Sequence, residues 1–324
     1  MHEFNFESIE TLDETLARVD NTHRILAGGT DLLTRLKSGL DQPESLLDIK
    51  ATDLQSDLSV NENGVVMGAL CTLSDIESAD ALDSRYQLLK DAAGQAATQQ
   101  IRNRATIAGN LLQAPRCWYY RHPDIDCWRK GGDECPAKQG RNSHHAVIGE
   151  GPCVAVHPSD LAACLLTLDA VVDVRSRRGE RRLDIADFLC SPTQDRRQET
   201  ALEADEIITS ISIPPLSPSA RSCYLKAMDR KTWAFALSGL AAAVTMQDGQ
   251  VQDVRLSLSG VANTPYRLTA VEALLKARRP DADLVQEAVA RSTEDFSPLS
   301  ENGYKVELVQ GLMKSALGEL LLDQ

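Results

Sequence analysis

Aromatic residues make up only 4% of this chain, and basic residues are outnumbered, 34 Lys and Arg against 47 Asp and Glu. The resulting formal charge of −13 repels phosphate backbones, which argues against a nucleic-acid partner. The one dense basic run, Arg175 to Arg182, straddles a glycine and reads as a solvated hairpin turn. Long apolar runs are missing too. The longest, LAACLLTLDAVV from Leu161, has 12 residues and contains Asp169, too short to span a bilayer. The opening MHEFNFESIETLDE is acidic and lacks the apolar core of a secretory signal, so a cytoplasmic location is expected. Internal repeats and low-complexity tracts are also absent. What remains is an ordinary globular composition, 43% apolar and 25% charged, in 324 residues, enough for two or three subdomains with real cores.

Against this background one stretch is anomalous. RCWYYRHPDIDCWRKGGDECPAKQGRNSHHAVIGEGPC, Arg116 to Cys153, holds two of the three Trp, two of the six Tyr and four of the eight Cys. It has no helix or strand period and is rich in Gly, Pro, Arg and Asp, so burial of an apolar face is not expected to order it. Cys71, Cys164, Cys190 and Cys223 sit singly in apolar stretches and read as buried thiols. Cys117, Cys127, Cys135 and Cys153 are separated by 9, 7 and 17 residues, which matches no standard zinc or ferredoxin spacing. A 37-residue excursion inside a compact domain is functional or disordered, and four thiolates on one metal centre would supply ordering energy. His122, His144 and His145 are alternative ligands, although exposed loop histidines are the plainer reading.

The rest of the chain alternates. A helix is expected over Ile9 to Val19 with Ser8 as cap, then a strand RILAGG, a helix DLLTRLKSG closed by Gly39 and a strand SLLDIK. VVMGALCTL, a helix over Ser84 to Ala97, a strand CVAVHP, a helix SDLAACLLTL capped by Ser159, and strands AVVDVRS and EIITSISIP follow. PPLSPSA, Pro214 to Ala220, is the linker candidate because proline fits neither a ladder nor a helix interior. Beyond it, AFALSGLAAAVTM and VQDVRLSLSGVAN flank a DGQ turn, and helices are expected over Arg267 to Ala277, Asp283 to Arg291 and Lys305 to Leu322. The fold class is α+β.

LAGGTDLL, from Leu26, leads from a strand through two glycines into a helix, and RNRATIAGNLL, from Arg102, offers a second close backbone approach. Each alone is a plain turn, for the Lys of a P-loop and the third glycine of a dinucleotide fingerprint are missing. In sequence, LAGGTDLL, ATIAGNL, HPSDL, and EIITSISIP with the Lys of YLKAMDR resemble the FAD-binding subunits of the xanthine dehydrogenase and molybdenum hydroxylase family. The resemblance spans nearly the whole chain.

It implies a two-part α/β FAD-binding domain of the PCMH type, residues 1–57 and 58–215 with an insertion at 113–153, then a C-terminal antiparallel sheet with a helical bundle at 220–324. Ile25, Leu26, Ala27, Gly28, Gly29, Thr30, Asp31 and Leu32 would wrap the FAD diphosphate. Ala105, Thr106, Ile107, Ala108, Gly109 and Asn110 would complete the cradle, with Ala108 where many members have glycine. Asp160 would hold the adenosine portion, and Ile208 and Lys226 would sit near the flavin ring, Lys226 stabilising the reduced flavin anion. One branch of the family, which includes 4-hydroxybenzoyl-CoA reductase and a bacterial periplasmic aldehyde oxidoreductase, carries a [4Fe-4S] cluster on a Cys-rich loop at this point. NLLQAPRC, DECPA and HAVIGEGPCVAVHPSDLA are most similar to the aldehyde oxidoreductase type, which makes Cys117, Cys127, Cys135 and Cys153 the expected ligands. Arg116, Arg121, Arg129 and Lys130 would offset the cluster's charge, and Trp118, Tyr119, Tyr120 and Trp128 would screen it. Zinc on the same thiolates is the rival chemistry.

The chain itself offers no substrate-oxidising base or nucleophile, so no catalytic residue is assigned. By the resemblance it would be the electron-transfer subunit of a heterotrimeric or higher complex. A large subunit with a molybdenum cofactor, a small subunit with [2Fe-2S] clusters and an external electron acceptor would complete the system. Periplasmic export on a partner's signal is the alternative location. The competing functions are a 4-hydroxybenzoyl-CoA reductase-like or xanthine dehydrogenase-like complex, a stand-alone flavoprotein oxidase, and a zinc-stabilised binding module.

Overall fold

The computed structural model describes residues 2–149 and 151–322; Met1, Glu150, Asp323 and Gln324, which fall within the expected subdomains and insertion, lie outside the described residues. Three sheets carry the chain. The first is parallel, in the order β1 (Asn5–Ser8), β3 (Ser45–Asp48), β2 (His23–Leu26), with the helix Leu32–Lys37 crossing from β2 to β3. This is the strand-helix-strand unit that the RILAGG–SLLDIK pattern predicts. The first helix is shorter than expected, Leu12–Arg18, and its cap is Thr11, whose side chain accepts from Glu14 N–H. Ser8 is unavailable as a cap because Asn5–Ser8 pairs with Ser45–Asp48, and the ladder continues as Ile9 N–H donates to the Asp48 carbonyl.

The second sheet is antiparallel throughout, ordered β4 (Leu58–Asn61), β5 (Gly64–Gly68), β8 (Ile207–Ile213), β6 (Val171–Ser176), β7 (Gly179–Asp184). The basic run forms the β6–β7 turn, as expected. CVAVHP is not a strand. Its backbone is extended, but Val154 accepts from Ala146 N–H, His157 N–H donates to Ala262 and Asn263 Nδ2 donates to Ala155. Pro152 and Pro158 bracket the segment and remove ladder donors, so its polar groups are satisfied by loops instead.

The third sheet, β12 (Tyr266–Arg267), β11 (Gln250–Ser259), β10 (Ser238–Gln247), β9 (Ala220–Ala227), is antiparallel and follows the proline-rich segment. β10 is buried on both faces because successive side chains point to opposite sides. Leu240, Ala242 and Val244 join the core made with the helices Thr269–Leu275, Ala282–Arg291 and Tyr304–Leu317, while Ala241 and Ala243 join the core of the second sheet. The C-terminal sheet is therefore welded to the helices Gln87–Gln95 and Asp160–Thr167 of the preceding region. Among the described residues no helix is long and apolar enough to cross a membrane.

The Cys-rich segment has order from a source the sequence does not announce. Residues 142–146 are gripped by residues 300–305 of the C-terminal region. Asn142 Nδ2 donates to Ser300 Oγ at 3.0 Å and its Oδ1 accepts from Glu301 N–H at 2.9 Å, while Glu301 Oε2 accepts from Asn142 N–H at 3.0 Å. Asn302 Nδ2 donates to the carbonyls of His145 at 3.2 Å and Ala146 at 3.0 Å, and Tyr304 OH donates to Ser143 O at 2.9 Å. Both asparagines are fully buried. Asn302→Ala strips donors from two buried carbonyls, at a cost of roughly 1–3 kcal/mol for each group left unsatisfied. Limited proteolysis should then cleave within 122–149 while the remaining cores resist; equal resistance to wild type would rule out the clamp as the segment's support.

Candidate cofactor cleft and cysteine centre

The two glycine-bearing turns that lie some eighty residues apart in sequence touch in space. Gly28 packs so closely on the Arg104 carbonyl that an added Cβ would stand 1.9 Å from its oxygen, and Gly29 has φ +73°, a left-handed conformation that glycine alone adopts freely. Among the described residues no acceptor in the chain takes the N–H groups of Gly28, Gly29, Thr30 or Asp31, and all four residues line a cavity. On the facing side, Thr106 Oγ1 accepts from Gly109 N–H at 3.2 Å and caps the short helix Ile107–Leu111. Asn110 is tied to Ser159, which caps Asp160–Thr167 through Ala162 N–H.

Two chambers meet at this turn. The smaller, about 230 Å³, is largely apolar and lined by Ile25, Ile49, Leu70, Ala108, Ile207 and Ile208. The wider, about 630 Å³, is bounded by Ala105, Asp160, Lys226, Cys117, Trp118 and His145, with Trp233 and Phe235 at its edge. Thr30, Asp31, Gly109 and Gln113 belong to both. A ligand with a polar middle and a flat group at each end fits such a space.

Lys226 and Asp160 form a buried ion pair at 2.7 Å, with side chains 1% and 7% exposed. Tyr224 OH donates to the other Asp160 oxygen at 2.7 Å, and Lys226 Nζ also donates to Gln95 O at 3.1 Å. Burial, and then the adjacent Asp160 carboxylate, push the Tyr224 hydroxyl well above the ordinary tyrosine range. The expected grouping of Ile208 with Lys226, and of Asp160 apart from them, gives way to a different one. Lys226 and Asp160 share the wider chamber while Ile208 lines the smaller. Tyr224 escapes sequence reading, though it lies two residues before Lys226 on β9 and so shares its face.

Asp31 does not turn its carboxylate into the cleft. Oδ1 pairs with Arg116 and Arg121, each at 2.9 Å, and Oδ2 accepts from Ala114 N–H at 2.9 Å. It pins the start of the Cys-rich segment to the glycine turn. Those two arginines therefore serve Asp31, Lys130 donates to the His122 carbonyl on the surface, and Arg129 alone of the expected cations reaches the cysteines. Arg129 is 6% exposed and pairs with Glu199 at 3.0 Å, and its Nε has no partner in the chain.

The four cysteines come together without standing around one point. Cys117 packs with Trp128 and Cys153, and Cys135 packs with Ala137 and Val154. The neighbouring Cys153 thiol pulls the Cys135 thiol down while Cys135, and then burial, push Cys153 up, and burial pushes Cys117 up to about 11. Ala155 N–H donates to Cys153 Sγ at 3.4 Å. All eight cysteines are free thiols. Among the described residues no three His, Cys, Asp or Glu side chains converge as a single ion would need. His145 is not an exposed loop histidine: it is 2% exposed, its Nε2 lies 3.1 Å from Cys117 Sγ and its Nδ1 has no partner. His122 and His144 are exposed.

Comparison with known proteins agrees with this anatomy. Residues 2–216 match the FAD binding domain in molybdopterin dehydrogenase, and residues 223–320 match the CO dehydrogenase flavoprotein C-terminal domain. The chain is 33% identical to the aldehyde oxidoreductase FAD-binding subunit PaoB of Escherichia coli, covering 98% of each. It is 26% identical to the glyceraldehyde dehydrogenase medium chain of Sulfolobus acidocaldarius, again over 98% of both. A carbon monoxide dehydrogenase chain from Hydrogenophaga pseudoflava shares the fold, with a TM-score of 0.78 at 22% identity over 99% of this chain and 98% of that one. The chain belongs to the FAD-binding subunits of the molybdopterin-dependent dehydrogenases.

Proposed function

We propose that this chain is the FAD- and [4Fe-4S]-carrying electron-transfer subunit of a molybdenum-dependent aldehyde oxidoreductase-type complex. A large molybdenum-cofactor subunit and a small [2Fe-2S] subunit would deliver electrons, and an external acceptor would remove them. The observation that carries the reading is the unpartnered backbone turn between two chambers, with Cys117 on the wall of the wider one. Gly28, Gly29 and Thr30 would hold the diphosphate through backbone N–H groups, neutralising its charge in an acidic protein. Ile25, Ile49, Leu70 and Ile208 would hold the adenine end, and Lys226 would face the flavin ring with a positive charge that Asp160 fixes in place. When bound, FAD and the cluster supply two-electron and one-electron chemistry respectively.

For the cluster, the support is the donor set. Four soft thiols lie in one segment, Cys117 packs against Cys153, the Cys153 sulfur receives the Ala155 N–H, and Arg129 Nε and His145 Nδ1 are buried polar atoms without partners. Hydrogen bonds to sulfur and nearby positive charge are what thiolate-held iron–sulfur centres use to set their potential. A cluster of four irons also spaces its ligands more widely than one tetrahedral ion does, in keeping with sulfurs that do not surround a single point.

Anaerobic purification of the co-expressed complex, followed by iron, zinc and flavin counts, tests the reading. Flavin bands with a broad iron–sulfur shoulder are expected. Cys135→Ser should lose iron and keep FAD, because the glycine turn holds its own geometry without the sulfurs. Zinc in place of iron would sink the cluster, and absence of flavin from assembled complex would sink the whole assignment.

A further inference from the structure

Lys305 is the anomaly of the C-terminal region. It opens the helix Tyr304–Leu317 yet has no exposed surface. Its Nζ donates to the Gly260 carbonyl at 2.6 Å and lies 3.4 Å from the His144 carbonyl; among the described residues no carboxylate pairs with it. A buried ammonium held only by carbonyl dipoles is costly, and a chain keeps one where an anion elsewhere offsets it.

The surroundings point to that anion. Lys305 lies beneath residues 142–146, the end of the Cys-rich segment that Asn302 and Tyr304 also hold. Its carbonyl contact at His144 is followed directly by His145, whose ring touches Cys117 sulfur. Four thiolates around an iron–sulfur core form such an anion, and the core becomes one unit more negative on reduction.

We infer that Lys305 tunes the metal centre of the Cys-rich segment: its buried positive charge favours the reduced, more negative state. The inference rests on the cluster reading above. Lys305 touches neither sulfur nor the flavin cleft and acts through the field it places under residues 144 and 145. Burial spares that field most of the screening by dissolved salt, so removing it should shift the potential of the centre.

The test is a dithionite titration of the whole complex followed by electron paramagnetic resonance, comparing wild type with Lys305→Met. Methionine keeps the length of the side chain and removes the charge. The expected result is a lower midpoint potential for the cluster at unchanged iron and FAD content. An unchanged midpoint with full iron overturns the inference. Should Lys305→Met lose iron, Lys305→Arg decides. Iron retained with arginine and lost with methionine supports the role of charge, whereas loss in both makes Lys305 a packing tie and overturns it. The wild-type iron count separates the two readings: an iron-free complex overturns the cluster and this inference together, whereas an iron-loaded complex with an unmoved potential overturns only the role of Lys305.

Discussion

A Gly28→Ala complex is expected to purify with little or no FAD. The added Cβ would lie 1.9 Å from the Arg104 carbonyl oxygen and 2.7 Å from its carbon, both backbone atoms that no rotamer change can move. One of the two turns must give way, so the unpartnered donors of residues 28–31 shift within the cavity they line. Overpacking of this kind costs about 1–3 kcal/mol in stability. Each 1.4 kcal/mol lost from binding is about tenfold in affinity. Flavin absorbance per protein after gel filtration measures the outcome. Gly311→Ala provides the contrast, since that glycine lies within the helix Tyr304–Leu317 with nothing near its missing Cβ. There the substitution should stabilise by roughly 0.5–1 kcal/mol through helix propensity, and FAD should remain. Full flavin in Gly28→Ala would mean that the close approach of the turns does not shape the cofactor site.

Lys226→Met should be the most destabilising single change in the cleft. It leaves the buried Asp160 carboxyl with Tyr224 as its remaining hydrogen-bond partner, and breaking a buried ion pair from one side costs about 3–5 kcal/mol. The pair joins the helix Asp160–Thr167 to β9, so the loss is felt where the C-terminal sheet meets the FAD-binding region. Thermal unfolding of the complex should show a lowered midpoint, with and without bound flavin. The double variant Asp160→Leu, Lys226→Met should regain most of it, because two apolar side chains replace two desolvated charges. If the wider chamber holds the flavin as proposed, the flavin should become harder to reduce in Lys226→Met, since a positive charge lining that chamber is gone. A variant that unfolds with wild type and keeps its flavin potential would show that the pair contributes neither stability nor field.

Much of this protein can be read from its residues alone, and the readable part has a common physical origin. Local periodicity and turn chemistry act over a few residues. They mark the strand-glycine-helix passage at Leu26 to Lys37, the Ser159 cap, the basic hairpin at Arg175 to Arg182 and the long C-terminal hairpin, all of which the structure contains. The four loop cysteines stand out by composition, and the four single ones lie buried as their apolar neighbours foretell. Three features needed the fold. Asp31 faces Arg116 and Arg121 because the Cys-rich segment starts beside the glycine turn, ninety residues from it in sequence at its far partner. The Asp160–Lys226 pair and the Asn142–Asn302 clamp join residues 66 and about 160 positions apart. Hydrogen bonds and ion pairs of that separation carry no periodic signal, since their geometry exists only after the hydrophobic cores have brought the elements into register. That is why the order of the cysteine segment, sought in metal bonds when only its composition is known, is seen in the structure as polar contacts from the far end of the chain.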